Sequence, residues 1–170
     1  GLFLNKTPKR KIPAAFHLCG FLSVHFGHWM SEYLPKLRHL ERHPQAQTIP
    51  ILVNDDMPPS HYEALALLTK NEVIRVARNE TLHVKELYTA PTINFMAPDY
   101  HPGHPIPVER QATWSLDAMK FMRERILGNL GEHSTDQKKI FISRRNSGWA
   151  RPTNEEEIER FFSSNGFEIV

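Results

Sequence analysis

His28 and Glu32 stand four residues apart, the spacing that places two side chains on one face of a helix. An imidazole beside a carboxylate can serve as a general base with an orienting acid, and a carboxylate is favoured near the positive start of a helix. The same pair on a solvated helix would add only about 0.3 kcal/mol of stability and no chemistry. A second group lies between Lys138 and Arg151, where five basic residues occur without an acid. Arginine forks match phosphate oxygens, so this loop reads as an anion site, most simply for a phosphate. The competing reading pairs its arginines with Glu155, Glu156 and Glu157, which follow. A third group, Asp99, His101 and His104, sits in residues 94–108 among four prolines and a glycine. Such a stretch cannot be regular structure and reads as a substrate-facing loop, as a three-ligand metal set, or as a plain connection.

These residues need elements to position them. Residues 14–24 are apolar and are expected to contain a buried strand leading into a helix that carries His28 and runs to about Arg42, before Pro44. Gly27 permits a tight turn into that helix, and Trp29, Tyr33 and Leu37 make an adjacent inward face. Residues 49–53 read as a strand, with Asp55 and Asp56 expected to cap the next helix, which spans Pro58 to Leu68 with Leu65 and Leu68 inward. Further strands are expected at 72–76 and 81–90, the latter with the alternating pattern Leu82, Val84 and Leu87. An amphipathic helix is expected from Arg110 to Leu127, with Trp114, Met119, Met122 and Ile126 on its core face and glycines ending it. After a polar linker at 131–137, a strand at 139–143, the basic loop, a helix capped by Asn154 with Ile158, Phe161 and Phe162 inward, and a strand at 167–170 form a new unit. Alternating strands and helices argue for an α/β layered domain, residues 1–130, followed by the start of another, residues 138–170. Open α/β sheets bind ligands at the carboxyl ends of their strands, where the basic loop falls.

Composition narrows the function classes. Forty per cent hydrophobic and 24% charged residues are ordinary for a folded domain, and a net charge of +2 is no general polyanion signature. One cysteine, Cys19, excludes an intrachain disulfide framework and a cysteine-based zinc site. No run of 18 apolar residues suggests a membrane-spanning helix, and no signal-peptide pattern is present. The basic run Lys6 to Lys11 reads first as a solvated arm and second as a membrane-surface or nucleic-acid patch. The stretch starts at Gly1 and stops within an expected strand, so it reads as a fragment of a longer chain.

Taken together, His28-Trp-Met-Ser-Glu-Tyr-Leu-Pro35 and, more than a hundred residues later, Ile142-Ser-Arg-Arg-Asn-Ser-Gly-Trp-Ala-Arg-Pro-Thr-Asn-Glu155 resemble glycosyltransferase family 61. That family includes bacterial capsular-polysaccharide enzymes, plant xylosyl- and arabinosyltransferases and animal O-linked N-acetylglucosaminyltransferases. Its first pattern, a histidine followed four residues later by an acid and then by Leu-Pro or Ile-Pro, falls on His28, Glu32 and Leu34-Pro35. Its second, Ile-Ser-Arg with a later arginine and Asn-Glu, falls on Ser143, Arg144, Arg151, Asn154 and Glu155. The family's following His-Gly-Ala-Gly-type motif does not occur here, so an incomplete donor site is expected in this stretch.

The resemblance implies a GT-B-like, two-domain inverting glycosyltransferase that moves a sugar from a nucleotide-sugar donor to a glycan or protein hydroxyl. Capsular or surface polysaccharide synthesis is the expected setting. Residues 1–130 would form the acceptor side, a Rossmann-type layered domain, and 138–170 the first strand-helix-strand unit of the donor side, with 131–137 allowing closure. His28 would be the base and Glu32 its orienting acid, with Glu32 as base the close alternative. Ser143, Arg144, Arg151, Asn154 and Glu155 would bind the donor diphosphate, Asp99, His101 and His104 would face substrate, and no divalent metal or other cofactor would be required. No nucleic-acid partner is implied, and peripheral membrane association stays open. The implied location is the bacterial cytoplasm or inner-membrane surface, or the Golgi or ER lumen for a eukaryotic source. The rival readings are a metal-dependent hydrolase using His28, Glu32, Asp99 and His101, a non-catalytic glycan- or protein-binding module, and, third, a nucleic-acid binder.

Overall fold

Four parallel strands make the main sheet: β1 (Arg10–His17), β2 (Ile51–Asn54), β3 (Val73–Val76) and β4 (Leu82–Tyr88), in spatial order β3-β2-β1-β4. They belong to a computed structural model of the chain, which describes residues 10–96, 103, 107, 112–131, 137–147 and 152–170. The strands and helices fall into two units, Gly1–Gly131 and Glu132–Val170.

Burial explains the order. β2 is a continuous apolar run with Ile51, Leu52 and Val53 all buried, as a central parallel strand covered on both faces must be. The edge strands β3 and β4 carry Arg75, Lys85 and Glu86 and are half exposed, which discourages pairing with other chains. Phe16, Leu18, Ile51 and Val53 face one core with Trp29, Leu34, Leu37, Leu65 and Met122. Ile12, Ala15 and Leu52 face a smaller one with Ile74, Val76, Leu82 and Val84. Leu87 does not continue the alternation of Leu82 and Val84: it lies on the opposite face of β4 and is half exposed. Arg10 and Lys11 belong to β1 rather than to a solvated arm, and Arg10 holds Glu80 at 2.6 Å.

After β1, a short 3-10 turn (Phe21–Val24) leads to a helical run over residues 26–40, here α1. The expected regular helix is instead composite: an α turn (Phe26–His28), a π turn (Trp29–Tyr33), a 3-10 turn (Leu34–Lys36) and a final α turn (Leu37–Leu40). Pro35 lacks an N–H and cannot continue an α ladder, so the hydrogen bonding on either side of it is redistributed. Trp29 is fully buried, stacks on Tyr33 and His61, and donates its indole N–H to the His61 carbonyl at 3.0 Å.

Helix α2 (Pro59–Ala66) buries His61 and Leu65. Its N-cap is Pro58, with no capping side chain, so Asp55 and Asp56 do not perform the capping expected of them. Two short strands, β5 (Phe95–Met96) and β6 (Ala112–Thr113), pair antiparallel, so the start of the stretch expected to be irregular is a strand. Helix α3 (Leu116–Leu130) begins six residues later than expected, because Ala112 and Thr113 are taken by that ladder and the Ser115 hydroxyl accepts the Ala118 N–H as N-cap. Trp114 therefore lies outside the helix and half exposed, and Met119 is also exposed. Ala118 and Met122, with Phe121 and Ile126 beside them, form the inward stripe.

The second unit pairs β7 (Ile140–Phe141) with β8 (Glu168–Ile169) in parallel, joined through α4 (Glu155–Ser164). Phe162 stacks on Phe141 at 4.4 Å and meets Phe167 edge-on. Phe161, expected inward, is exposed, and Glu155 and Glu159 occupy the buried side instead. Gly166 closes the helix at φ 78°, a left-handed conformation in which glycine is favoured. Among the described residues no helix is long and apolar enough to cross a membrane.

Candidate active site

The order 3-2-1-4 places a topological switch between β1 and β4, and open parallel sheets receive ligands beyond the carboxyl ends of their strands at such a point. The segment leaving β1 carries Gly20, Phe26 and His28. The segment leaving β4 carries Asn94, Phe95 and Met96. The two meet at Glu32.

His28 Nδ1 lies 3.1 Å from Glu32 Oε2, and both side chains are about nine-tenths buried. An ionised carboxylate can only accept, so the imidazole nitrogen facing it, Nδ1, carries the hydrogen, and a neutral ring so held keeps its lone pair on Nε2. The other carboxylate oxygen, Oε1, accepts the Met96 N–H at 2.6 Å. Both oxygens of Glu32 are thus engaged, one holding the ring and one holding β5. The Ser31 hydroxyl donates to the Gly27 carbonyl at 2.7 Å and steadies the first turn. His25 meets His28 edge-on at 6.3 Å and is exposed.

Gly20 supports the same edge from below. Its N–H donates to Asn54 Oδ1 at 2.9 Å, and the Ser23 hydroxyl reaches the Gly20 carbonyl at 2.8 Å. Tyr62 donates to the Asn54 carbonyl at 2.7 Å, tying α2 to the end of β2. A Cβ at Gly20 would overlap the Tyr33 ring, with ring carbons at 2.6 and 2.7 Å and the hydroxyl closer still. Burial pushes the Tyr33 hydroxyl above its ordinary value and the buried His61 imidazole below its own. Among the described residues, Nε2 of His61 is buried with no partner in good hydrogen-bond geometry, though the Val24 backbone lies close enough to oppose the lowering.

The second unit builds its network from Ser143 and Arg144 at the end of β7 and from Glu155 and Glu159 on one face of α4. The Ser143 hydroxyl lies 3.1 Å from Glu155 Oε1 and 2.5 Å from Glu159 Oε1, and its oxygen accepts the Arg145 N–H at 3.0 Å. Glu155 Oε1 also accepts the Arg144 N–H, while its Oε2 is buried with no partner among the described residues. The Arg145 guanidinium forks onto Glu159, with Nε 3.2 Å from Oε1. The Ser143 hydroxyl and then Arg145 hold the Glu159 carboxyl below its ordinary value, against the opposing effect of burial. Asn154 occupies the N-cap position of α4, but its side chain turns to Glu157 Oε2 at 3.4 Å rather than capping the helix.

The sequence-derived candidates therefore divide. His28 and Glu32 are brought together. Ser143, the Arg144 backbone and Glu155 are brought together, but as an internal brace whose polar groups face one another. Arg145 pairs with a glutamate of the helix that follows, Glu159, rather than with Glu155, Glu156 or Glu157 as the sequence suggested. Arg144 Nη2 reaches Ser147 Oγ at 3.4 Å. Asp99, His101, His104 and Arg151 lie outside the described residues. Among the described residues no three histidines, cysteines or acids gather closely enough to hold a metal ion.

Sequence reasoning missed Asn94 and Met96, which carry no local signal, and Glu159. The last was legible: it sits four residues after Glu155 and so shares its face. The family model described as Glycosyltransferase 61 matches residues 26–170, a span holding both networks. No curated protein and no solved structure matches the chain.

Proposed function

The chain belongs to glycosyltransferase family 61, a family of enzymes that move a sugar from a nucleotide-sugar donor to an acceptor, and we propose that it does so by a single inverting displacement with His28 as the base. The observation that carries this reading is the engagement of both Glu32 oxygens, which leaves Nε2 of His28 as the free basic atom of the pair. The acceptor O–H gives its proton to Nε2 while its oxygen forms a bond to the anomeric carbon from the face opposite the leaving group. The bond from that carbon to the diphosphate breaks, and its electron pair leaves on the nucleoside diphosphate. Glu32 stabilises the imidazolium that forms. Glu32 as the base itself is the weaker choice, since taking a proton would cost it the hydrogen bonds that hold His28 and β5.

In this reading the enzyme is GT-B-like, with residues 1–130 on the acceptor side and residues from 138 onward on the donor side. Arg144 and Arg151 supply positive charge to the leaving diphosphate, the role that arginine forks and helix ends can fill without a divalent metal. Ser143 and Glu155 act one step back, fixing the backbone of the loop that presents Arg144. The acceptor class is a glycan or protein hydroxyl, and surface polysaccharide synthesis is the setting that fits.

The test is transfer from a panel of radiolabelled nucleotide sugars by the full-length protein and its His28→Ala variant, with the anomeric configuration of the product read by proton NMR. Loss of about a hundredfold or more in turnover with inversion in the wild-type product is expected. Retention of configuration, or unimpaired transfer by His28→Ala, would overturn the assignment.

A further inference from the structure

Pro35 has no N–H to offer the carbonyl of Ser31, four residues before it, in the middle of the segment that carries His28 and Glu32. The Nδ2 of Asn94 donates to that carbonyl at 2.7 Å from 63 residues away. Asn94 is 1% exposed, and its side chain does more. Its Oδ1 accepts the N–H of Ser115, the N-cap of α3, at 2.6 Å, and its Nδ2 also lies 3.5 Å from Met119 Sδ. Two residues on, the Met96 N–H is the donor to Glu32 Oε1. One buried amide therefore joins α1, the β5 segment and the start of α3, and it fixes the residue whose N–H sets the Glu32 carboxylate.

We infer that Asn94 is a positioning residue for the His28–Glu32 pair, holding Met96 where its amide orients Glu32 and so keeps the His28 proton on Nδ1. Without the Asn94 amide, the Ser31 carbonyl loses its substitute for the missing Pro35 donor and the Ser115 N–H loses its acceptor. Among the hydrogen bonds of the described residues, the one from Met96 to Glu32 then remains between β5 and α1. Glu32 gains freedom to rotate, and the imidazole loses the partner that selects one tautomer. This inference rests on the reading of His28 as base for its functional meaning, but not for its geometry.

The experiment is a two-bond proton–nitrogen correlation of the histidine rings in the ¹⁵N-labelled chain, at a pH well above the imidazole range. His28→Gln assigns the His28 signals. Wild type should show His28 protonated at Nδ1. Asn94→Ala, and Asn94→Asp, which keeps an acceptor for Ser115 but sets a carboxylate oxygen against the Ser31 carbonyl, should both move His28 toward an average of the two tautomers. The other histidine signals and the far-ultraviolet circular dichroism should stay at wild-type values. A folded variant with an unchanged His28 pattern would overturn the inference. So would loss of the fold in both variants, which would make Asn94 a core residue alone. The tautomer is read without turnover, so the two readings fail separately. A shifted tautomer alongside full transfer by His28→Ala would remove the base assignment and leave the positioning role standing.

Discussion

Replacing Glu32 by glutamine isolates orientation from packing. Glutamine has the same length and nearly the same volume, and its carbonyl oxygen can still accept the Met96 N–H that now reaches Oε1 at 2.6 Å. Its amide nitrogen, however, faces His28 Nδ1 as a donor where Oε2 now accepts at 3.1 Å. The imidazole can meet that donor only by moving its proton from Nδ1 to Nε2, which occupies the atom needed to take the acceptor's proton. The free energy at stake is that of one hydrogen bond to a charged group in a site with about a tenth of each side chain exposed, about 1.5–3 kcal/mol. At about 1.4 kcal/mol per factor of ten, turnover should fall about tenfold to a hundredfold from the tautomer alone. Loss of the carboxylate that stabilises the imidazolium extends the range toward about 10⁴-fold, the upper end for general-base catalysis. Stability should change by less than about 1 kcal/mol, because the number of satisfied backbone donors is preserved. Denaturant unfolding and initial transfer rates on the same preparation measure the two quantities. Transfer within about threefold of wild type by a stably folded Glu32→Gln protein would refute the reasoning, since the tautomer argument alone requires about tenfold.

Two further outcomes concern the scaffold. Gly20→Ala should cost about 1–3 kcal/mol by overpacking, because its Cβ would overlap Tyr33, whose ring is held against Trp29 at 5.9 Å; Gly20 sits at φ 174°, an extended conformation open to alanine, so the combined Gly20→Ala, Tyr33→Leu protein should recover part of that loss in denaturant unfolding. Burial holds His61 below its ordinary 6.5, so the folded chain resists a proton that the unfolded chain accepts; its contribution to stability is complete above about pH 6.5 and declines as pH falls below it. His17 and His39 are lowered for the same first cause, so His61→Leu should shallow, without abolishing, the loss of thermal midpoint between about pH 6.5 and 5.

Much of this molecule was legible in advance where the physics is local. The i, i+4 spacing of His28 and Glu32 survives even though the helix around them changes type, because the contact needs only one turn of roughly helical backbone. The run Ile51-Leu52-Val53 announces a central strand through its own composition. The start of α3 was also written locally, in Ser115 and Asp117, but counting Trp114 with the apolar stripe of Met119, Met122 and Ile126 obscured it. The inward face of α4 misled for a different reason. Apolar periodicity places Phe161 inside, whereas two carboxylates lie there because Ser143, the Arg144 amide and Arg145 partner Glu159 and one oxygen of Glu155. A buried acid is stable only with partners, and those partners come from another element.

The sequence by itself determined the α/β alternation, the His28–Glu32 pair and, through two separated motifs, the family, because each is carried by neighbouring residues or by residue identity. Only the tertiary structure decided which oxygen of Glu32 serves the ring, that Met96 takes the other, and that Asn94 answers the carbonyl Pro35 cannot. The last two contacts span 64 and 63 residues, and hydrogen bonds between distant segments leave no periodicity in the chain, only a geometry in the fold.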